Sequence, residues 1–311
     1  MYLIQPKYKY FILLCLSILF CACKKTNLGI ILPYEDKKLV VYSELSPDKN
    51  IGLYLNRTYP PTGDIKVLAG LSGAKITLFE DGISKGQLSY IDSGNYTIPI
   101  KPVAGKSYFF KISLDGYSTT VSEGVEIPKA VTEIKITFGE TLYNTSSYYE
   151  NIRRCGVEWK DNNSQKDNSY LVSIDGLYKN VDVYNYVESI GSQADVENGC
   201  SFSTIQNGFL YRGLCYDTQA VKVELGVSSS GILQQNIIAT NEKVGQSVKV
   251  ELYRVFIRAV SDSYYQYLRT ETEPLGILKA FSIPQTRYSN IKNGYGIVVA
   301  HNRTMITVRS M

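Results

Sequence analysis

The chain has one histidine (His301) and one tryptophan (Trp159) among 311 residues. A lone imidazole with no C-x-x-C pair beside it does not make a zinc site, so no metal or other cofactor is expected. A Ser-His-Asp arrangement would rest on His301 alone, and a single histidine gives no sign of the three mutually hydrogen-bonded groups a triad needs. Beyond residue 22 there is no run of 18 apolar residues, so the rest of the chain is expected to be aqueous. The formal net charge is only +4, and the basic residues are scattered, so no nucleic-acid partner is expected.

What is present begins with the first 25 residues. Lys7 and Lys9 form a basic start, and Tyr10 to Phe20 is apolar but shorter than the roughly 20 residues a membrane span needs. That is the pattern of a secretory leader. Phe20-Cys21-Ala22-Cys23 follows, with small residues before a cysteine, as in a bacterial lipoprotein signal. Phe20 stands where Leu is usual, and its bulk opposes ordinary cleavage after Ala22. Residues 1–22 are therefore expected to be removed, leaving Cys23 to carry diacylglycerol and a further acyl chain such as palmitate. Two or three such chains hold a protein at a membrane, whereas one binds marginally. Residues 23–36 read as lipidated cysteine and tether.

Tyrosine is in excess, with 26 residues against ten Phe. It favours strands, and it also serves wet binding surfaces, where ring and hydroxyl act together. After leader removal the cysteines are Cys23, Cys155, Cys200 and Cys215. An oxidising compartment makes a disulfide plausible. Cys200 and Cys215 would close a loop of about 15 residues, worth roughly 3 kcal/mol in the chain-entropy account. Cys155 is an alternative partner for either, because spacing does not fix connectivity.

From Lys37 onward the sequence reads strand, turn, strand, and the predicted fold is mainly β. IGLYLNRTY places Ile51, Leu53 and Leu55 on one face, and AKITLFED stops at the hairpin signal Asp81-Gly82. Six or seven short strands over residues 37–127 predict an immunoglobulin- or transthyretin-like β-sandwich, bounded at Ile127-Pro128. Residues 128–311 read as a second, less regular β-rich domain. In SVKVELYRVFIRAVS the apolar phase slips by one residue after Leu252, which predicts a β-bulge. DSYYQYLRTET predicts a short helix over 262–272, capped by Ser261, with Tyr264, Tyr267 and Leu268 on one face. IVVAHNRTMITVRS is expected to close the chain as a hairpin, and residues 185–215 are expected to form a long irregular loop.

Gly73-Ala74-Lys75-Ile76-Thr77-Leu78, Asp92-Ser93-Gly94-Asn95-Tyr96-Thr97, Gly105-Lys106-Ser107-Tyr108 and Asp115-Gly116-Tyr117 resemble a transthyretin-like or carboxypeptidase-regulatory-like sandwich. Two further features are the SYYQYLRT helix and Ser289-Asn290-Ile291-Lys292-Asn293-Gly294-Tyr295-Gly296. With the Cys23 leader, they make residues 20–311 resemble the Bacteroidota lipoprotein family called domain of unknown function 4249. The resemblance implies an outer-membrane lipoprotein, often beside a TonB-dependent receptor, with no assigned catalytic residues. Lys24 and Lys25 stand where surface-exported relatives carry acidic residues, so the periplasmic and cell-surface faces both stay open. Within the late motif, Asn293-Gly294 and Gly296 read as a structural corner.

Binding usually resides on loops over a rigid scaffold. Tyr148, Tyr149, Trp159, Tyr184 and Tyr186, together with the 185–215 loop, are therefore the candidate binding surface. The expected function is a non-enzymatic, lipid-anchored binding or accessory subunit in nutrient uptake. One alternative is an envelope or polysaccharide hydrolase using carboxylates among Glu158, Asp161, Asp175, Asp182 and Glu188, which need only about 5–10 Å of separation. The other is a structural envelope component without a cleft.

Overall fold

Apolar and polar residues alternate with period two through most of the chain, and each such run becomes a strand with one face turned inward. The computed structural model describes residues 37–59, 70–143, 151–161, 168–190, 200–203, 208–215, 220–236, 243–270 and 287–310. The first stretch forms β1 (Leu39–Leu45), β2 (Ile51–Arg57), β3 (Lys75–Glu80), β4 (Ile83–Gln87), β5 (Ser89–Tyr90), β6 (Asn95–Ile98), β7 (Ser107–Ser113), β8 (Thr120–Ser122) and β9 (Val125–Glu126). β5-β6-β2-β1 lie side by side in one sheet, and β4-β3-β7-β8 in another, with β9 on β7. Leu39, Val41, Leu55, Ile76, Leu78 and Phe110 meet between the two sheets in a first core. Asp81 (φ 49°) and Gly82 (φ 82°) make the tight turn from β3 to β4.

The second stretch forms β10 (Thr132–Tyr143), β11 (Ile152–Lys160), β12 (Ser169–Tyr178), β13 (Val181–Ser189), β14 (Ser201–Ser203), β15 (Gly208–Arg212), β16 (Ala220–Asn236), β17 (Lys243–Lys249) and β18 (Leu252–Val260). Their order is β10-β11-β16-β13-β12-β18, with β17 on β16 and the β14–β15 pair on β12. Phe138 of β10 nevertheless lies 5.4 Å, centroid to centroid, from Tyr253 of β18. The sheet therefore curls until its apolar face closes on itself, around Val157, Trp159, Tyr170, Leu225 and Ile257. The phase slip after Leu252 is not a bulge but follows a break between β17 and β18. There Val250 N–H donates to Ser229 O at 2.9 Å and Glu251 N–H to Leu177 O at 2.8 Å, so consecutive residues bond to different strands.

The helix α1 (Asp262–Thr270) follows directly. Ser261 caps it, its Oγ accepting the Tyr264 N–H at 3.3 Å. Ser263, Tyr265 and Leu268 are its buried residues. Tyr265, rather than Tyr267, thus joins Leu268 against Leu171, Leu210 and Val260.

β19 (Ile291–Lys292) and β20 (Gly294–Arg309) end the fold. β20 is one continuous strand. Gly294–Ala300 runs parallel to β1, and His301–Arg309 runs antiparallel to β18. The hairpin expected near His301 is absent, because the strand changes partner without changing direction, and that needs no turn. β19 pairs with β8, so the corner between β19 and β20 bridges the two sheets of the sandwich. Val298 and Ala300 consequently belong to the first core. That core draws on the end of the chain as well as on residues 37–127.

The late motif builds this corner. Asn290 is 3% exposed; its Oδ1 accepts the Val298 N–H at 2.9 Å and its Nδ2 donates to Val298 O at 2.7 Å. Gly296 has φ +107°, and a Cβ there would stand 1.9 Å from Val41 O, so β1 approaches too closely for any side chain. Replacing Asn290 by Ala leaves the buried Val298 N–H without its acceptor. Urea unfolding of Asn290→Ala is expected to show a loss of about 1–3 kcal/mol. A loss under about 0.5 kcal/mol, the size of an ordinary surface change, would contradict this role.

Candidate binding surface

Outward residues of β10, β11, β16 and β13 form a polar face opposite the second core. Charges on it are paired across strands: Lys160 with Glu133 at 2.9 Å, and Arg154 with Glu224 and, at 3.8 Å, Glu140. At one end Tyr143 Oη donates to Glu188 Oε1, and Tyr186 Oη donates to Glu188 Oε2 at 3.1 Å. Glu188 lies over Gly226, where a Cβ would come within 2.8 Å of the Glu188 Cγ and Oε1. The missing side chain at Gly226 is what lets Glu188 reach across β16. The hydrogen bond to Glu188, then burial, raises the pKa of Tyr143; burial, then Glu188, raises that of Tyr186. Both phenols stay protonated at neutral pH and can donate. Tyr143, Tyr184 and Tyr186 are 43%, 48% and 38% exposed.

The residues singled out from sequence are distributed unequally. Tyr184 and Tyr186 sit on this face. Trp159 does not: it is fully buried in the second core, edge-on to Tyr170 with centroids 5.1 Å apart, and offers no surface to a ligand. Tyr148, Tyr149 and Cys23 lie outside the described residues. Cys200 and Cys215 are joined in a disulfide with Cα atoms 5.7 Å apart, and Cys155 is a free, buried thiol whose pKa burial pushes up to about 12. Part of the stretch expected as irregular loop is ordered: β13 continues to Ser189, and β14 and β15 extend the ladder beside β12. Tyr143 is not among the tyrosine candidates, and Glu188 is singled out from sequence only as a carboxylate considered for hydrolysis. The one local signal for their meeting is the isolated Gly226 inside a strand.

The carboxylates considered for hydrolysis have structural partners. Asp175, at 3.5 Å, and Asp182 share the Arg254 guanidinium, and Asp161 accepts from Asn168 Nδ2 at 2.9 and 3.0 Å. Glu158 faces Lys222 and Lys135 in register.

His301 sits where β20 changes partner. Its Nδ1 is 3.3 Å from Glu44 Oε1, without the alignment of a hydrogen bond, and no serine hydroxyl among the described residues bonds to it. Glu44 is also held by Lys49 at 3.0 Å and accepts from Tyr264 Oη at 3.4 Å. Burial lowers the His301 pKa against the pull of Glu44, so the imidazole is neutral. Burial pushes Glu44 up, but the hydrogen bond and charge of Lys49, with the hydrogen bond from Tyr264, hold the carboxyl below its usual range. Beside this pair a shallow depression of about 450 Å³ opens on the outer face of β1, β2 and β6, lined by Tyr42, Glu44, Lys49, Tyr54, Asn95 and Thr97 among others.

The fold and this surface define a mainly β scaffold with polar, tyrosine-bearing outer faces. The chain belongs to the family described as "Domain of unknown function (DUF4249)", whose model matches residues 26–307. No curated protein matches it. Among solved structures, a membrane-anchored protein of Corynebacterium diphtheriae is 10% identical, with a TM-score of 0.21, over 74% of this chain and 56% of its own. The major pilin subunit of Bacillus cereus is 12% identical, with a TM-score of 0.20, over 73% of this chain and 65% of its own. The chain thus spans less than two thirds of either protein, and likenesses at these scores carry no argument.

The acid response follows from His301. Its folded pKa lies below the ordinary 6.5, so the unfolded chain binds the proton more readily. This contribution to stability is full above about pH 6.5 and is lost as pH falls toward the folded value. Thermal unfolding of His301→Gln at about pH 7.5 and 5.5 is expected to show a smaller drop in Tm than the unsubstituted protein. An unchanged drop would contradict the assignment.

Proposed function

We propose that this protein is a lipid-anchored binding or accessory subunit at the outer membrane of a Bacteroidota cell, working beside a TonB-dependent receptor in nutrient uptake. Cys23 holds the chain at the bilayer through its acyl groups, the tether of residues 24–36 gives reach, and the β scaffold presents the contact surface. The observation that supports binding is the row of exposed tyrosines on β10 and β13. Tyr143 and Tyr186 are both fastened by Glu188, so their rings are ordered before a partner arrives. Rings held in place in this way lose little side-chain entropy on association, which favours contact through them. No step of the mechanism is chemical: the protein positions a receptor or its cargo.

Mild-detergent recovery of the tagged, lipidated protein tests this reading. A TonB-dependent receptor is expected at equal stoichiometry, and Cys23→Ser is expected to move the protein from the membrane fraction to the soluble one. With the recovered partner in hand, Tyr184→Ala and Tyr186→Ala are each expected to weaken binding by about 1–2 kcal/mol, roughly 5- to 30-fold. Recovery of the lipoprotein alone, under conditions that keep other membrane complexes intact, would count against the receptor partnership. Unchanged affinity in both tyrosine variants would move the surface elsewhere.

A further inference from the structure

The outer face of β18 and β20 carries a charge arrangement that neither the tyrosine surface nor the packing of the cores requires. Arg258 and Arg303 stand directly opposite each other in the antiparallel ladder. Their guanidinium carbons lie 5.6 and 5.8 Å from the centroid of the same ring, Phe256, and that of Arg254 lies 5.7 Å away. Like charges directly opposite on a sheet face destabilise it. Their place over the Phe256 ring orients the guanidinium groups, but the ring cannot neutralise them.

The three arginines are not equally matched. Arg254 is taken up by Asp175 and Asp182. Among the described residues Arg303 pairs only with Asp48, at 3.4 Å, with both side chains nearly half exposed, which is a weak and displaceable pair. Arg258 has no carboxylate within 4 Å among the described residues, and its hydrogen bond is to the neutral Ser173 Oγ at 3.4 Å. The next outward residue of β20 is His301, which is neutral, and Glu44 beside it is engaged by Lys49. Met305, opposite Phe256, is 51% exposed and offers an apolar contact next to the two cations.

We infer that Arg258 and Arg303 form an oxyanion-binding site that receives the carboxylate or sulfate group of an acidic ligand, whose apolar portion lies on Met305. Arginine suits this task because its planar fork donates two parallel hydrogen bonds to such a group. Ser173 Oγ adds a third donor beside the fork. The site is separate from the tyrosine face and stands or falls independently of the receptor partnership.

The test is thermal unfolding of the full-length protein in detergent at low salt. It is titrated with sodium sulfate and with sodium acetate, against sodium chloride at matched ionic strength. A saturable rise in Tm beyond the chloride control is expected, with half-saturation at least tenfold weaker in Arg258→Gln. A response to sulfate alone identifies a tetrahedral group, and a response to acetate identifies a carboxylate. If Arg258→Gln does not fold, Arg303→Gln provides the same readout. Equal half-saturation in the unsubstituted protein and the folded variant, or no rise beyond chloride, overturns the inference.

Discussion

The structure depends on how the hydrogen-bonding edges of β20 are shared. Its first seven residues are paired with β1 and its remaining residues with β18, so one strand joins both sheets, with Val298 and Ala300 in the first core and Val308 packed against the second. At the changeover, groups that no strand bonds must find other partners, because a buried amide or carbonyl left alone is costly. Side chains supply them. Ser261 Oγ accepts the Ala300 N–H at 3.0 Å, and the Ser261 N–H donates to Ala300 O at 2.8 Å. Asn290 takes both polar groups of Val298, and Ser263 Oγ also donates to Val298 O at 3.1 Å. The helix cap, the Asn290 motif and the close approach at Gly296 are thus parts of one device, which holds β20 between the sandwich and the curled sheet.

With the apolar faces committed to two cores, chemistry is left to the outer faces of the sheets. Two regions there differ in character. On β10 and β13, tyrosines are fastened through Glu188, whose reach depends on the missing side chain at Gly226. On β18 and β20, arginines lie over a shared phenylalanine, and among the described residues Arg258 hydrogen-bonds only to a neutral hydroxyl. Both arrangements sit on extended strands rather than on loops, so their geometry is fixed by the ladder. Such a surface suits recognition by complementarity.

Much of the fold was legible in the sequence, because period-two alternation shows which face of a strand turns inward. That pattern, with Asp81-Gly82 and Ser261, located the strands of the sandwich, a hairpin and the helix cap. Alternation does not show which strand pairs with which. The partner change along β20 was therefore read as a hairpin, and the break between β17 and β18 as a bulge. Trp159 is legible as a core residue by its phase: Cys155, Val157 and Trp159 alternate on one side of β11, and that side is the core. Tyr143 and Glu188 are 45 positions apart and meet only because β11 and β16 lie between their strands. Apart from the isolated Gly226, no local pattern encodes that meeting.

The central claim is that β20 makes the two cores one cooperative unit, and urea unfolding followed by two probes tests it most directly. Trp159 fluorescence reports the second core, since it is the chain's single tryptophan and lies wholly inside it. Hydrogen exchange of β1 and β2 peptides reports the first. The account predicts that β1 and β2 amides lose protection at the same urea concentration at which Trp159 becomes exposed. Loss of β1 protection while Trp159 fluorescence remains native would show two independent units and contradict it.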